Sequence, residues 1–230
     1  WWGVPDMPKI NYSCEDARKW ALDVTAFWID NFNIDGWRMD VAKEIDLLFW
    51  KDFRKTAKDS NQNVLLFSEI FGDTSQWLQG DMFDGTMNYS FRESMVDYFA
   101  TKRMSISEFS DSLANLYFMY SFKALSSCQN LLSSHDVKRF LTRCSDDSSI
   151  YGPIFMQATF PGIAGIYYGD EIGLNGGNEP NNREAFPWND ESTWDLNLQN
   201  YIREIMDIKS SNNILKYGNF QLLPNQNDAI

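Results

Sequence analysis

Apolar residues recur along this chain in two alternating rhythms. Short apolar runs alternate with stretches in which large apolar side chains fall three and four apart, the period of a helix packed on one face. The runs at 34–42, 64–69, 84–89, 130–136 and 163–168 read as strands. Between the first two, Ile45, Leu48, Phe49, Phe53 and Ala57 keep helical spacing. An earlier helix starts at a Ser13 cap and runs to about residue 31, with Ala17, Trp20, Val24, Phe27 and Trp28 as its apolar positions. Further helices are predicted at 91–100, 107–122, 150–160 and 196–210, with a short one around Trp77 and Leu78 and a polar loop at 178–189. Strands alternating with helices predict an α/β domain with a parallel sheet. No internal repeat, low-complexity tract or linker interrupts the alternation.

The chemistry sits where the runs end. Arg38 and Asp40 are two apart at the end of the first run, so an extended strand puts both on one face. A guanidinium beside an aspartate favours its ionised form, as a carboxylate nucleophile requires. Taken alone, the pair reads more readily as a structural ion pair. The second run ends in Glu69 and the fourth in His135 and Asp136. Asp40 and Glu69 lie about one strand–helix–strand unit apart. Acids closing three of these strands mark one face of a parallel α/β sheet, and in a (β/α)8 barrel that face holds the catalytic groups. His135 is the only histidine, so a histidine-based nucleophilic triad has no support beyond it.

These motifs resemble the α-amylase superfamily of glycoside hydrolases, and within it the neopullulanase and cyclomaltodextrinase group. Gly36-Trp37-Arg38-Met39-Asp40 is similar to that family's nucleophile strand, Phe67-Ser68-Glu69-Ile70 to its acid/base strand, and Ser134-His135-Asp136 to its third catalytic segment. Met7-Pro8-Lys9-Ile10-Asn11 resembles the subgroup's signature before the nucleophile strand. The stretch from Gly165 to Gly173, followed by Gly176-Gly177-Asn178-Glu179-Pro180 and Arg183, resembles the eighth strand and its loop.

The resemblance implies a partial (β/α)8 barrel, strands four to eight, over residues 1–217, with 218–230 as a tail or the start of a C-terminal β-domain. It implies a retaining α-glucan hydrolase acting on cyclodextrins, pullulan or maltodextrins at α-1,4 and some α-1,6 bonds. Asp40 would be the nucleophile, Glu69 the acid/base and Asp136 the stabiliser, with Arg38, His135, Lys43, Glu44, Phe71 and Arg183 toward substrate. In a retaining enzyme the two working carboxyl groups stand about 5 to 5.5 Å apart. The apolar neighbours Phe67, Ile70 and Phe71 are expected to desolvate Glu69 and keep it protonated. Trp1, Trp2 and Trp77 are further cleft candidates, and Asp170 and Glu171 are expected to pair with Arg183. Lys43 departs from the subgroup's usual asparagine, Phe71-Gly72 from its Trp-His, and Ala164 from its proline, which loosens the inference to one oligosaccharide.

Composition narrows the alternatives. The net charge of −12 disfavours nucleic acid and suits a neutral glucan. Nine Trp, ten Tyr and seventeen Phe supply both core and flat apolar faces for sugar rings. Three cysteines without metal-like spacing fit a reducing compartment or buried thiols better than a disulfide framework, and with no leader or membrane-length apolar run the expected location is cytoplasmic. No cofactor is expected, and no calcium site, since no Asp-x-Asp-x-Asp loop occurs. Two readings stay beside the hydrolase. One is an inactive, carbohydrate-binding half-barrel whose open edges pair in a homodimer. The other is a metal-dependent phosphotransfer enzyme, which would need the glycine-rich phosphate loop that this sequence lacks.

Overall fold

In the computed structural model, which describes residues 3–221 apart from the side chains at 147 and 148, the chain divides into two units, Trp1–Met87 and Asn88–Ile230. Trp1 and Trp2 lie outside the described residues, as does most of the tail at 218–230.

The first unit begins with α1 (Glu15–Phe32), which carries Glu15 and Asp16 in its first turn, where acids favour the helix dipole. It ends on Asn33 in the left-handed region, whose N–H returns to the Ile29 carbonyl. Ser13 is not its cap. The Asn11 side chain takes the Ser13 N–H at 3.0 Å, and the helix starts after Cys14 with no side-chain cap. The expected stripe is also out of phase. Trp20, Phe27 and Trp28 are exposed, while Thr25 and Ile29 are buried. Arg18 Nε and Nη2 donate to Asp52 Oδ2 at 2.9 and 2.6 Å on the next helix.

Strand β1 (Gly36–Met39) follows, then a tight turn at Ala42–Glu44 and α2 (Leu47–Ser60). A side chain at position 36 would put its Cβ 2.5 Å from the Leu65 carbonyl, so the neighbouring strand requires glycine there. Asp46 caps α2 by accepting from the Leu48 and Phe49 amides. Phe49, Trp50, Phe53 and Ala57 are buried along α2, whereas Leu48, expected in the core, is 64% exposed. Trp50 is the residue drawn inward in its stead, because its ring packs on Phe53 and Phe83 and its Nε1 donates to the Ala42 carbonyl at 2.8 Å. Strands β2 (Leu65–Ser68) and β3 (Gly85–Asn88) complete a parallel set, with Arg38 beside Phe67, Met39 beside Ser68, and Phe67 beside Gly85. Asp84 ties the set to α2 by accepting from Leu66 N at 3.0 Å, Arg54 Nη1 at 2.8 Å and Lys58 Nζ at 2.9 Å. Burial pushes the Asp84 carboxyl up, but these three donors together hold it below its ordinary value.

The second unit opens with α3 (Tyr89–Met95), extended by a wider helical turn over Val96–Ala100. Next comes α4 (Ile106–Met119), closed at its start by reciprocal Ser105 and Glu108 bonds. The single helix expected to 122 breaks at Tyr120, because the Ser121 hydroxyl accepts from Ala124 N and starts α5 (Phe122–Ser126). Then follow β4 (Gln129–Leu131), α6 (Tyr151–Thr159), β5 (Ile163–Gly165), α7 (Leu196–Ser211) and α8 (Asn213–Tyr217). β4 and β5 run parallel, and buried Gln157 binds both by donating to the carbonyls of Asn130 and Gly165.

Both strands are shorter than their apolar runs. β4 stops at Leu131, so His135 and Asp136 lie beyond it in a turn. There the Ser133 and Ser134 hydroxyls capture the amides of Phe140 and Asp136, at 2.9 and 3.2 Å, in competition with the strand ladder. β5 stops at Gly165, and the chain turns where Asp170 N reaches the Tyr167 carbonyl.

Candidate active site

In the first unit, the parallel register brings the ends of β1 and β2 side by side. Glu69 N donates to the Met39 carbonyl at 2.9 Å, and Ala42 N donates to the Glu69 carbonyl at 3.1 Å. Asp40 and Glu69 each directly follow a strand, and one guanidinium serves both. Arg38 Nη1 donates to Asp40 Oδ1 at 2.8 Å and Nη2 donates to Glu69 Oε1. The second oxygen of Glu69 accepts from the Val41 amide at 3.4 Å. The two carboxylates differ in setting, with 65% of the Asp40 side chain exposed and 3% of Glu69. Phe67 and Ile70 beside Glu69 are buried, as expected, but Phe71 is exposed.

The turn after Asp40 is sharp. Val41 takes φ 40° and ψ 51°, a left-handed backbone that a β-branched residue adopts only under constraint. Lys43 and Glu44 lie in the next turn. Lys43 is exposed, and Glu44 pairs with Lys9 at 3.7 Å. Lys9, Asn11, Arg18, Glu44 and Leu48 line part of a cleft of about 730 Å³, and neither Asp40 nor Glu69 is among its lining residues. Trp77, expected at a cleft, is half-buried, with its Nε1 buried and unpaired.

In the second unit, the Ser134–Asp136 turn is held from several sides. His135 Nε2 and Asp136 Oδ2 are 3.0 Å apart. Arg183 Nε donates to the His135 carbonyl at 2.8 Å, and its Nη2 reaches Asp136 Oδ1 at 3.4 Å. The Tyr89 hydroxyl lies 2.9 Å from Ser134 Oγ. Buried Arg92 donates from Nε to the Leu132 carbonyl at 2.8 Å and from Nη2 to the Lys138 carbonyl at 3.1 Å, and so holds the segment at both ends. Arg183 therefore belongs with His135 and Asp136 rather than with Asp170.

The partner of Asp170 is Arg139, a fully buried residue that the sequence did not single out. Its Nη1 donates to Asp170 Oδ1 at 3.2 Å and to the Tyr168 carbonyl at 2.6 Å, and its guanidinium lies over the Tyr167 and Tyr168 rings. Burial pushes the Asp170 carboxyl up to about 7, against the opposing pull of Ser133 and Arg139. A carboxyl raised above its unfolded value keeps its proton in the folded chain. That stabilisation is full below the unfolded value of 3.8 and is lost as pH rises through about 7. Asp170→Asn removes the loss. The stability of the variant relative to the parent should climb between pH 4 and 7, with a slope of at most about 1.4 kcal/mol per pH unit. Urea unfolding across that range checks it, and a flat difference would refute the assignment.

The chain has counterparts among known proteins. The family model described as alpha amylase, catalytic domain, matches residues 2–214. The chain belongs to the alpha-amylase family. By family it is a glycoside hydrolase, and its α/β fold is part of that family's (β/α)8 barrel. Among alpha-amylase relatives, a cyclomaltodextrinase of Geobacillus thermopakistaniensis is 39% identical over 96% of this chain and 37% of its own length. Neopullulanase 2 of Thermoactinomyces vulgaris is 38% identical over 94% of this chain and 37% of its own. Of solved structures, the cyclic alpha-maltosyl-(1→6)-maltose hydrolase of Arthrobacter globiformis superposes with a TM-score of 0.90 at 34% identity, covering 94% of this chain and 49% of that one. The Nostoc punctiforme debranching enzyme gives 0.92 at 32% identity, covering 99% and 50%. This alpha-amylase chain thus spans less than two-fifths of the length of these two curated relatives.

Proposed function

We propose that this chain carries the working carboxylates of a retaining α-glucan hydrolase, acting on cyclodextrins, pullulan or maltodextrins at α-1,4 and some α-1,6 bonds. The observation that supports this most is the fork of Arg38 between an open Asp40 and a buried Glu69. In this reading Asp40 Oδ attacks the anomeric carbon as the bond to the leaving oxygen breaks, and Glu69 delivers a proton to that oxygen. Glu69 then takes a proton from the water that releases the sugar from Asp40. In this reading the Arg38 and Val41 bonds hold Glu69 in place beside Asp40. Asp136 and His135 bind sugar hydroxyls, a role that rests on the motif and on the anchoring of their turn. Lys43, Glu44 and Phe71 extend toward the leaving group. A cytoplasmic location fits the three free cysteines, and no helix among the described residues is long and apolar enough to cross a membrane.

The second reading is a chain that binds glucan without turnover. Incubation with maltotriose or a cyclodextrin, followed by proton NMR of the fresh reducing end, separates the two. The hydrolase reading expects the α anomer first. A β anomer first would refute retention, and saturable binding without product would establish the second reading.

A further inference from the structure

We propose that Asn182 is a positioning residue that sets the orientation of the His135–Asp136 pair from the opposite loop. It lies in the short turn Asn181–Arg183, flanked by exposed residues, yet it has no exposed surface. Its Nδ2 donates to three carbonyls of one turn, those of Ser134 at 3.3 Å, His135 at 2.7 Å and Val137 at 3.0 Å. An amide nitrogen has two hydrogens, so at least one of these bonds is shared. Three converging acceptors also fix which end of the amide faces the turn.

The other end shows what the site is built for. Asn182 Oδ1 is buried with no partner, a desolvation penalty that the fold tolerates in order to keep the donor end in place. Within the turn, the backbone bond from Val137 N to the Ser134 carbonyl is long, at 3.5 Å, and Asn182 Nδ2 reaches the same Ser134 carbonyl. The next residue completes the grip. Arg183 Nε donates to the same His135 carbonyl, and its Nη2 reaches the Asp136 carboxylate. Asn182 therefore holds the backbone while Arg183 holds the side chain. The carbonyl between His135 and Asp136 takes a bond from each.

No side chain of similar size replaces this contact. Leucine offers no donor, and aspartate would set a carboxylate oxygen against three carbonyl oxygens. The positioning role rests on the hydrolase reading only for its effect on turnover. Its effect on geometry is readable without substrate, because His135 is the only histidine and its imidazole is a single reporter.

The test uses the whole chain at pH about 8, where a free imidazole is neutral. In the parent, the contact of His135 Nε2 with Asp136 biases the ring toward its Nε2–H tautomer, read from the two ring ¹⁵N shifts. Asn182→Leu should relax that bias toward the ratio of free imidazole. Asn181→Ala, in the same turn, and Ile202→Ala, destabilised in α7, should leave it unchanged. If the leucine variant does not fold, Asn182→Ser gives the same reading with a smaller polar side chain. A folded Asn182 variant with the parent's ring pattern overturns the proposal, as does an equal change in Ile202→Ala. If the parent hydrolyses maltotriose, kcat in Asn182→Ser should fall about tenfold to a hundredfold with little change in KM. Loss of the hydrolase reading would remove that last comparison and leave the ¹⁵N result standing.

Discussion

Asparagine at position 40 should lower turnover of maltotriose or a cyclodextrin by about ten-thousandfold, with the circular dichroism of the chain unchanged. The separation of the two effects follows from the geometry. Asp40 stands beyond the end of β1 with most of its side chain in water, and it accepts a 2.8 Å bond from Arg38. The asparagine amide oxygen still accepts a bond from Arg38, a weaker one, and strand pairing is carried by the backbone. What disappears is the anionic oxygen that must bond to the anomeric carbon. Steady-state kinetics checks the rate and urea unfolding checks the fold. A folded Asp40→Asn chain with full activity would eliminate Asp40 as the nucleophile and the retaining mechanism with it.

Arg92→Met should lower the unfolding free energy by about 3 kcal/mol. Arg92 is 1% exposed, and methionine fills much of its volume without supplying a donor. The carbonyls of Leu132 and Lys138 would then be left without the Arg92 bonds. Glu93, which pairs with Nη1 at 2.6 Å, is half in water and contributes little. Because the two carbonyls bracket His135 and Asp136, the variant should also loosen that turn. Urea midpoints would show the first effect. A loss below about 1 kcal/mol would mean that water replaces the guanidinium at this site.

The meeting of Arg38, Asp40 and Glu69 was easier to read in the sequence than the packing. Arg38 and Asp40 announced themselves because side chains two apart on a strand share a face. Glu69 joined them because parallel strands bring residues that follow their ends to the same level. Apolar spacing, in contrast, reveals a helical period but not which way the helix faces. Trp20, Phe27 and Trp28 kept the spacing on α1, yet Thr25 and Ile29 are the residues it buries. On α2, Trp50 displaced Leu48 because its indole found both ring neighbours and a carbonyl. Strand ends were overestimated where serine hydroxyls offered the backbone a rival partner, at Ser133 and Ser134. Asn182, Arg92 and Arg139 gave no local signal. Each looks like a surface residue in its own segment and acquires its role only from carbonyls far away along the chain.

The left-handed backbone at Val41 has a consequence for the chain's tolerance of heat. Glycine there would meet no steric objection and could firm up the fold, although glycine also gains freedom when unfolded. Yet the amide of Val41 touches Glu69, and the residue before it is the proposed nucleophile. Screening variants for thermal endurance alone would therefore draw toward a change that slackens the aim of both acids. Screening for turnover would keep the valine, a local instance of durability set against catalytic power.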